Sequence, residues 1–247
     1  MKPLSLCYHA LSETWNHELS VSAEAFEAQL QLLLRRGYRP VGATEAAVGT
    51  GKLLHVTFDD AFTSIRNALP VLERTGARAT VFACTSYADD GRPLDTPELQ
   101  AELDERPEEL ETMKWGELRE LVERGIEVGS HTVSHRRLST LSDAELADEL
   151  RSSRERIEDE LGRPCTVLAY PFGDCDERVR VAARAAGYEI AFGLPGDATG
   201  RDPFDVFRVG VWRRDSARKV AFKSNSLVRS PAAMRLRVAL GLTHPGG

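Results

Sequence analysis

The stretch Leu53-Leu54-His55-Val56-Thr57-Phe58-Asp59-Asp60 decides the fold. An apolar, β-branched run that leads directly into two carboxylates is typical of a buried strand that ends at a functional site. Parallel α/β barrels place their active sites at the carboxyl ends of their strands. The stretch therefore predicts such a strand with Asp59 and Asp60 at its active end. For the dipeptide alone, a helix N-cap is the competing interpretation, because Asp is favoured at that position.

Outward from this stretch, short apolar runs alternate with segments of helical period. The predicted strands are Leu4–Tyr8, Leu53–Thr57, Ala79–Cys84, Ile126–Val128, Thr166–Ala169, Glu189–Phe192 and Val206–Val211. The predicted helices are Ser22–Arg36, Trp115–Arg124, Ser142–Gly162, which begins with a capping box, and Asp176–Ala186. Strands that alternate with helices predict an α/β fold whose parallel sheet is closed or nearly closed. The chain of 247 residues has the usual size of one such barrel.

Composition excludes several classes of protein. With 42% hydrophobic residues and a net charge of −6, the chain is neither a disordered segment nor a basic nucleic-acid binder. The apolar stretch at the N-terminus is too short and too polar for a signal peptide, and no run of about 18 apolar residues follows, so we expect a cytoplasmic location. The four cysteines form no C-x-x-C pair and fit a reducing compartment, although a bridge between Cys165 and Cys175 stays open.

Two segments depart from the regular alternation. Residues Asp89 to Glu111 are acidic and contain proline, and we expect an insertion or a lid there. Residues Arg213 to Arg237 carry eight basic side chains and one acidic one. We therefore predict a catalytic barrel over residues 1–215 and a basic C-terminal extension over residues 216–247, packed on or following the same domain. The extension fits either peripheral contact with an anionic membrane or a terminal helix on the barrel.

A second motif carries the chemistry. Gly129-Ser130-His131-Thr132-Val133-Ser134-His135 follows a predicted strand, and two histidines four residues apart at the start of a helical turn lie on one face and can share a metal. Two histidines with one carboxylate leave positions open for water and substrate, as a catalytic metal site does. Zinc suits these ligands, and Ni, Co or Fe fit them as well. The competing interpretation is a pair of surface or core histidines.

Together the motifs resemble the polysaccharide deacetylase family, the NodB-like carbohydrate esterases. Thr57-Phe58-Asp59-Asp60 and His131-Thr132-Val133-Ser134-His135 look like the first two family motifs, and Ala169-Tyr170-Pro171-Phe172-Gly173 looks like the third. Ala79-Thr80-Val81-Phe82 and Met113-Lys114-Trp115 add to the likeness, which covers about Leu4 to Val211. The resemblance implies a distorted (β/α)7–8 barrel.

The resemblance also implies roles for single residues. Asp60, His131 and His135 would bind the metal, and Asp59 would be the general base for the attacking water. The backbone N–H of Phe172 would stabilise the oxyanion, although its turn could be a simple aromatic turn. The implied substrate is an N-acetylated amino sugar, as a glycan, a lipid-linked sugar or a small glycosylated compound. An O-acetyl esterase, a small-molecule amide or ureide hydrolase, and an inactive binding module are the alternatives.

The sequence departs from the family pattern in two places. Many members carry in the third motif an Arg that holds the base, and here that position is Ala169. Arg208 could supply the guanidinium, and a surface salt bridge is the alternative for it. The usual C-terminal motif that ends in His is absent, but Leu6-Cys7-Tyr8-His9 has its form. The order is permuted in the same way in a subgroup that includes poly-N-acetylglucosamine deacetylases. This implies that His9 is the general acid, with a core histidine as the alternative.

Overall fold

Parallel strands form the centre of the molecule. The computed structural model describes residues 2–197 and 202–225. Its strands are β1 (Leu4–Tyr8), β2 (Arg39–Pro40), β3 (Leu53–Phe58), β4 (Ala79–Ala83), β5 (Glu127–Ser130), β6 (Val167–Ala169), β7 (Ile190–Asp197) and β8 (Arg208–Gly210). They pair in parallel in the order β7-β6-β5-β4-β3-β1-β8, and β2 joins β3.

Helices surround this sheet. They are α1 (Ala23–Arg35), α2 (Ala43–Val48), α3 (Leu69–Thr75), α4 (Thr85–Ala88), α5 (Gln100–Glu105), α6 (Trp115–Glu123), α7 (Asp143–Leu161), α8 (Glu177–Ala185) and α9 (Ala217–Lys223). Short 3-10 turns cover Thr63–Ala68, Pro97–Leu99, Pro107–Leu110, Leu138–Thr140 and Pro171–Gly173. The predicted capping box is present, because the Ser142 hydroxyl accepts from Glu145 N and the Glu145 carboxylate accepts from Ser142 N.

The sheet curls into a barrel with one seam. Between β7 and β8 an isolated parallel bridge joins Phe192 to Val206. The Nε of Arg208 also donates to the carbonyl of Gly193 at 3.1 Å. The predicted fold class, a distorted and nearly closed α/β barrel, is confirmed.

Alternating side chains divide the sheet into two faces. Outward residues pack on the helices; the ring of Tyr8 on β1, for example, meets that of Phe26 on α1 at 5.0 Å. Inward residues fill the barrel, where Phe82 and Phe192 lie 5.7 Å apart. Gly129 on β5 leaves the space for the Phe82 ring, since a Cβ there would come within 2.7 Å of it.

The predicted elements are all present, with boundaries that differ by a few residues. β7 extends to Asp197, beyond the predicted end at Phe192, and β8 covers only Arg208–Gly210 of the predicted Val206–Val211. The two-residue strand β2 and the helices α2, α3, α4 and α5 had no prediction, because short elements of two to seven residues carry too little periodicity to be recognised.

The segment Asp89–Glu111 lies over the carboxyl end of the barrel. Its apolar residues join those of the loop after β1 in a separate cluster that includes Trp15, Leu94 and Leu99. Hydrogen bonds strengthen this contact: Trp15 Nε1 donates to Glu102 at 2.6 Å. We call residues 89–111 the acidic lid.

The basic C-terminal segment is described as far as residue 225. Helix α9 buries Val220 and Ala221, and the side-chain amide of Gln29 on α1 donates to the Asp215 carbonyl at 2.6 Å. The remainder of the predicted extension, residues 226–247, lies outside the described residues, so the boundary predicted at residue 215 stays a prediction.

Candidate active site

The carboxyl ends of β1, β3 and β5 deliver five polar side chains to one cavity of about 100 Å³, namely His9, Asp59, Asp60, His131 and His135. Left-handed backbone marks the loops around it. Among the described residues, the non-glycine residues with positive φ are Asp60, Ala61, Thr132, His135 and Phe172. Such conformations cost of order 1–3 kcal/mol each and cluster at functional sites.

Asp60, His131 and His135 converge on one point. The Oδ1 of Asp60 lies 3.2 Å from Nε2 of His135 and 3.5 Å from Nε2 of His131. One ligand atom from each residue lies within 4.8 Å of the other two. The Nδ1 of His131 faces the carbonyl of Ala169 at 2.8 Å, so it carries the hydrogen and leaves the Nε2 lone pair for the cluster.

The chemistry of this cluster fits a divalent cation. The Oδ1 of Asp60 is buried and, in the part of the chain that the structure describes, accepts no hydrogen bond. Burial lowers the pKa of His131 to about 4, which keeps the ring neutral and able to ligate. A buried oxygen without a donor, facing two imidazole nitrogens, is a donor set for a metal such as zinc.

The loop that carries the two histidines is not the helical turn that the sequence predicted. Thr132 and His135 both adopt left-handed conformations, so the chain turns sharply between them. Their spacing nevertheless brings the rings of His131 and His135 to 4.9 Å. The two rings therefore lie close together as predicted, but the helical turn predicted between them is wrong.

Glu149 of helix α7 holds this loop from behind. Its Oε2 accepts from the backbone N–H groups of Val133 at 2.9 Å and Ser134 at 3.0 Å, and the hydroxyl of Ser134 donates to Oε1. This residue was not predicted from the sequence. The available signal was a charged side chain among Leu146, Leu150 and Ser153 on the buried face of an amphipathic helix.

Asp59 points away from Asp60, into the barrel. The guanidinium of Arg208 donates two hydrogen bonds of 2.6 and 2.9 Å to the Asp59 carboxylate, and it also donates to the Thr57 hydroxyl at 3.0 Å. Burial raises the pKa of Asp59, but the charge and hydrogen bonds of Arg208, together with His131 and His9, outweigh burial and hold this pKa well below its usual range. Arg208 is fully buried, so the alternative of a surface salt bridge is wrong.

His9 faces the same cavity, and its side chain is almost wholly buried. A ligand atom of His9 lies within 4.8 Å of one on Asp59, and the ring stacks on Trp212 with centroids 5.7 Å apart. Burial lowers the pKa of His9, against the opposing effect of the Asp60 and Asp59 carboxylates. The structure thus places His9 in the cavity with the other predicted site residues. Trp212, just beyond β8, was not singled out from the sequence.

Phe172 forms another wall. Its ring lies 4.7 Å from that of His135, and the guanidinium carbon of Arg137 lies 3.8 Å from the Phe172 centroid. Gly173 allows this turn to press on β7, because a Cβ there would come within 2.3 Å of the Leu194 carbonyl oxygen. The remaining cavity wall comes from the loop after β1, the acidic lid and β7, through His17, Glu18, Leu19, Leu94, Thr96, Glu98, Leu99 and Leu194.

The cysteines take no part as ligands of the Asp60 cluster. All four thiols are free, so the bridge left open between Cys165 and Cys175 is not formed. Burial raises the pKa of the Cys7 thiol well above its ordinary value, and the neutral thiol donates to Asp59 Oδ2 at 3.4 Å.

Comparison with known proteins gives concordant results. The family model described as polysaccharide deacetylase matches residues 47–191. YxkH of Bacillus subtilis, assigned to the polysaccharide deacetylases, is 26% identical over 205 residues, which are 80% of this chain and 66% of YxkH. The chain therefore spans about two thirds of the length of this relative.

Two solved structures are similar over most of the chain. The deacetylase PplD of Streptococcus pyogenes, determined with acetate, superposes with a TM-score of 0.75 at 20% identity, covering 91% of this chain and 99% of PplD. IcaB from Ammonifex degensii superposes with a TM-score of 0.74 at 26% identity, covering 90% of this chain and 97% of IcaB. At 20% identity, the similarity to PplD shows a shared fold.

Proposed function

Since the chain belongs to the polysaccharide deacetylase family, we propose that it is a metal-dependent hydrolase that removes the acetyl group from an N-acetylated amino sugar. Membership of the family supports a deacetylase and hydrolase; the metal and the N-acetyl substrate are added by our proposal. One observation supports it above others: two adjacent carboxylates serve different partners. Asp60 faces two histidines, while Asp59 is held by Arg208 beside the same cavity.

Asp60, His131 and His135 would hold the ion. A divalent metal in this place would polarise an acetamide carbonyl and make water a better nucleophile. Zinc is the first choice for two nitrogens and one oxygen, with Ni, Co or Fe as alternatives. The second ring nitrogen of His131 is fixed by the Ala169 carbonyl, the kind of outer contact that orients metal-binding histidines.

Asp59, His9 and Phe172 would transfer protons and stabilise the negative charge that forms during the reaction. Asp59, kept ionised by Arg208, accepts the proton of the attacking water. His9, which lines the same cavity beside Asp59, would deliver a proton to the leaving amine, which must be protonated for the amide bond to break. The backbone N–H of Phe172, in the strained turn at the cavity wall, is our candidate for stabilising the oxyanion.

The decisive experiment measures acetate release and metal content together. The wild-type chain should release acetate from short N-acetylglucosamine oligomers, with one divalent ion bound per chain. Asp59→Asn should retain the ion and lose about a hundredfold or more of the rate, a typical general-base contribution. Asp148→Asn, an exposed carboxylate on α7, is the matched control and should keep both. An Asp59→Asn variant with near-wild-type turnover would refute the assignment of the base.

The same site could cleave an acetyl ester instead of an amide. Matched N-acetyl and O-acetyl sugars separate the two activities, because only the amide requires a proton for its leaving nitrogen. We expect His9→Ala to lose most of the rate on the amide and much less on the ester. An equal loss on both would remove His9 from the role of general acid.

We also propose a cytoplasmic location. The free thiols of Cys7, Cys84, Cys165 and Cys175 support it, since oxidising compartments favour disulfides. Within the described residues no helix combines the length and the apolarity that crossing a bilayer requires. Cell fractionation with an antibody to the native chain tests the location; recovery in an oxidising compartment would contradict it.

A further inference from the structure

The charged residues on the cavity wall, as far as the structure describes it, are carboxylates. None of the described residues that line it is a Lys or an Arg, whereas Glu18 and Glu98 lie on its wall with Asp59 and Asp60. Glu98 forms an ion pair with Arg137 at 3.3 Å. Glu18 is exposed, and no hydrogen bond or ion pair engages its carboxylate in the described parts of the chain. A ligand therefore meets carboxylates at this opening.

The acidic lid reinforces this field. Its 23 residues hold ten carboxylates and two arginines, a net charge of −8 against −6 for the whole chain. Among the described residues, ion pairs engage only three of the ten: Asp89, Asp90 and Glu98. Others accept from neutral donors, as Glu102 does from Trp15 and Glu109 does from the Ser12 and Thr14 hydroxyls. Neutral donors orient a carboxylate but leave its charge in place.

The cavity below the lid is built for a ligand. The Nδ1 of His9 and the Oδ1 of Asp60, on side chains at least nine-tenths buried, line it without a hydrogen-bond partner in residues 2–197 and 202–225. The acidic surroundings thus belong to a site with unmet hydrogen-bonding capacity. Because the proposed ion would neutralise Asp60 and Arg208 pairs with Asp59, the charge that a flanking group meets is that of Glu18 and the acidic lid, which repels a phosphate and attracts an ammonium group.

We propose that this opening selects amino-sugar substrates that carry a free ammonium group next to the N-acetyl group, such as partly de-N-acetylated oligosaccharides. Glu18 and Glu98 are the specificity-determining residues. Phosphate-linked sugars, including nucleotide sugars, are poor substrates. The inference rests on the proposed deacetylase function and narrows its substrate class by charge.

The test compares three substrates in one acetate-release assay. They are a short N-acetylglucosamine oligomer, the same oligomer with free amines on the flanking units, and a nucleotide-linked N-acetylglucosamine. At low ionic strength, and at a pH at which the amines are protonated, kcat/KM should favour the cationic oligomer over the neutral one by about fivefold. The ratio should shrink in about 0.5 M salt, where screening is strong. Glu18→Gln and Glu98→Gln should lower the ratio, whereas Glu73→Gln, at the other end of the barrel, should not.

A second measurement is independent of turnover. A fully de-N-acetylated oligomer should bind to Asp59→Asn with a salt-dependent affinity that Glu18→Gln weakens, as followed by calorimetry. Equal kcat/KM values for the cationic and neutral oligomers, or a preference for the nucleotide sugar, would overturn the inference and leave the deacetylase function standing. If none of the three substrates released acetate, both this inference and the proposed deacetylase function would be overturned.

Discussion

Arg208 and Asp59 form a bidentate ion pair inside the barrel, with Nη1 2.6 Å from Oδ1 and Nη2 2.9 Å from Oδ2. The carboxylate follows β3 and the guanidinium comes from β8, and β1 lies between these strands. The guanidinium carbon also lies 5.7 Å from the Phe82 centroid and 5.9 Å from that of Phe192. Arg208 thus supplies the guanidinium that holds the Asp59 carboxylate, a role that Ala169 in the third motif cannot fill.

Breaking this pair should affect stability and turnover together. Arg208→Met leaves Asp59 buried without its counter-charge, which costs about 3–5 kcal/mol in the free energy of unfolding. Arg208→Lys keeps the charge but loses the fork of two hydrogen bonds, so we expect a smaller loss of stability and a clear loss of rate. Urea denaturation and acetate release measure the two effects.

The double variant Arg208→Met/Asp59→Asn is the control for that prediction. It removes both charges, so it should recover part of the stability that Arg208→Met loses, while its activity stays low. If Arg208→Met were as stable as the wild type, the pair would not matter for the fold.

Glu149 should control the proposed metal site without contacting the ion. Glu149→Ala leaves the N–H groups of Val133 and Ser134 without their acceptor, and the loop between the two histidines loses its fixed shape. We expect metal affinity to fall by about 10–100-fold, as for other outer contacts of metal ligands, and Glu149→Gln to lose less. Competition with a chromophoric chelator measures the affinity.

Asp148→Ala is the matched control for Glu149, because it is the adjacent residue on α7 and its carboxylate is exposed. The free energy of unfolding of each variant without metal must be measured as well, to separate a loose loop from a general loss of structure. Unchanged metal affinity in Glu149→Ala would show that the loop keeps its shape by other contacts.

Much of the fold could be predicted because periodicity and strand-end chemistry are local signals. The run Leu53–Phe58 is a strand for reasons contained in its own sequence, and the capping box at Ser142 specifies its own helix start. Asp59, Asp60, His131 and His135 could be brought together because the carboxyl ends of parallel strands share one side of a barrel.

The rest depends on contacts between distant segments. Nothing around Arg208 indicates that its side chain reaches Asp59 rather than solvent, since the two residues are 149 positions apart. The turn at Thr132 and His135 follows from Glu149 and from strand ends that the sequence does not show to be adjacent. Trp212 likewise reaches His9 only through the pairing of β8 with β1.

Membrane contact through the basic C-terminal segment can be tested with vesicles. In the described part of this segment Lys219 and Lys223 both pair with Asp215, and Arg213 donates to the Trp15 carbonyl at 2.7 Å, so these charges already serve the fold. Any attraction must come from the remaining basic residues, at roughly 1 kcal/mol each near anionic headgroups.

If the segment binds membranes, the full chain should sediment with anionic vesicles at low salt and less with neutral ones. A chain that ends at Asn225 keeps α9 and should bind several-fold less. Equal sedimentation of the two chains, or none by either, would rule out membrane contact through residues 226–247 and favour the terminal helix packed on the barrel.

His55 lies deep in the barrel, in a polar network below the active site. Its Nε2 lies 2.9 Å from the Thr80 hydroxyl, which donates to Glu127 at 2.6 Å, so Nε2 carries the hydrogen. Burial, aided by the Arg208 charge, lowers the pKa of His55 to about 3. Burial also raises the pKa of Glu127, which acts on stability in the opposite direction as the pH falls.

The pKa of His55 makes the fold sensitive to mild acid. An unfolded histidine titrates near 6.5, so between about pH 6.5 and pH 3 the unfolded chain binds the extra proton and stability falls as the pH falls. From pH 8 to pH 5 this group should remove about 2 kcal/mol from the free energy of unfolding. His55→Gln can still donate to Thr80 but does not titrate, and the contribution of Glu127 is common to both chains.

The loss of unfolding free energy between pH 8 and pH 5, measured by urea denaturation with excess zinc, should therefore be about 2 kcal/mol smaller in His55→Gln than in the wild type. Equal losses in the two chains would show that His55 becomes protonated in the folded barrel at no extra free-energy cost.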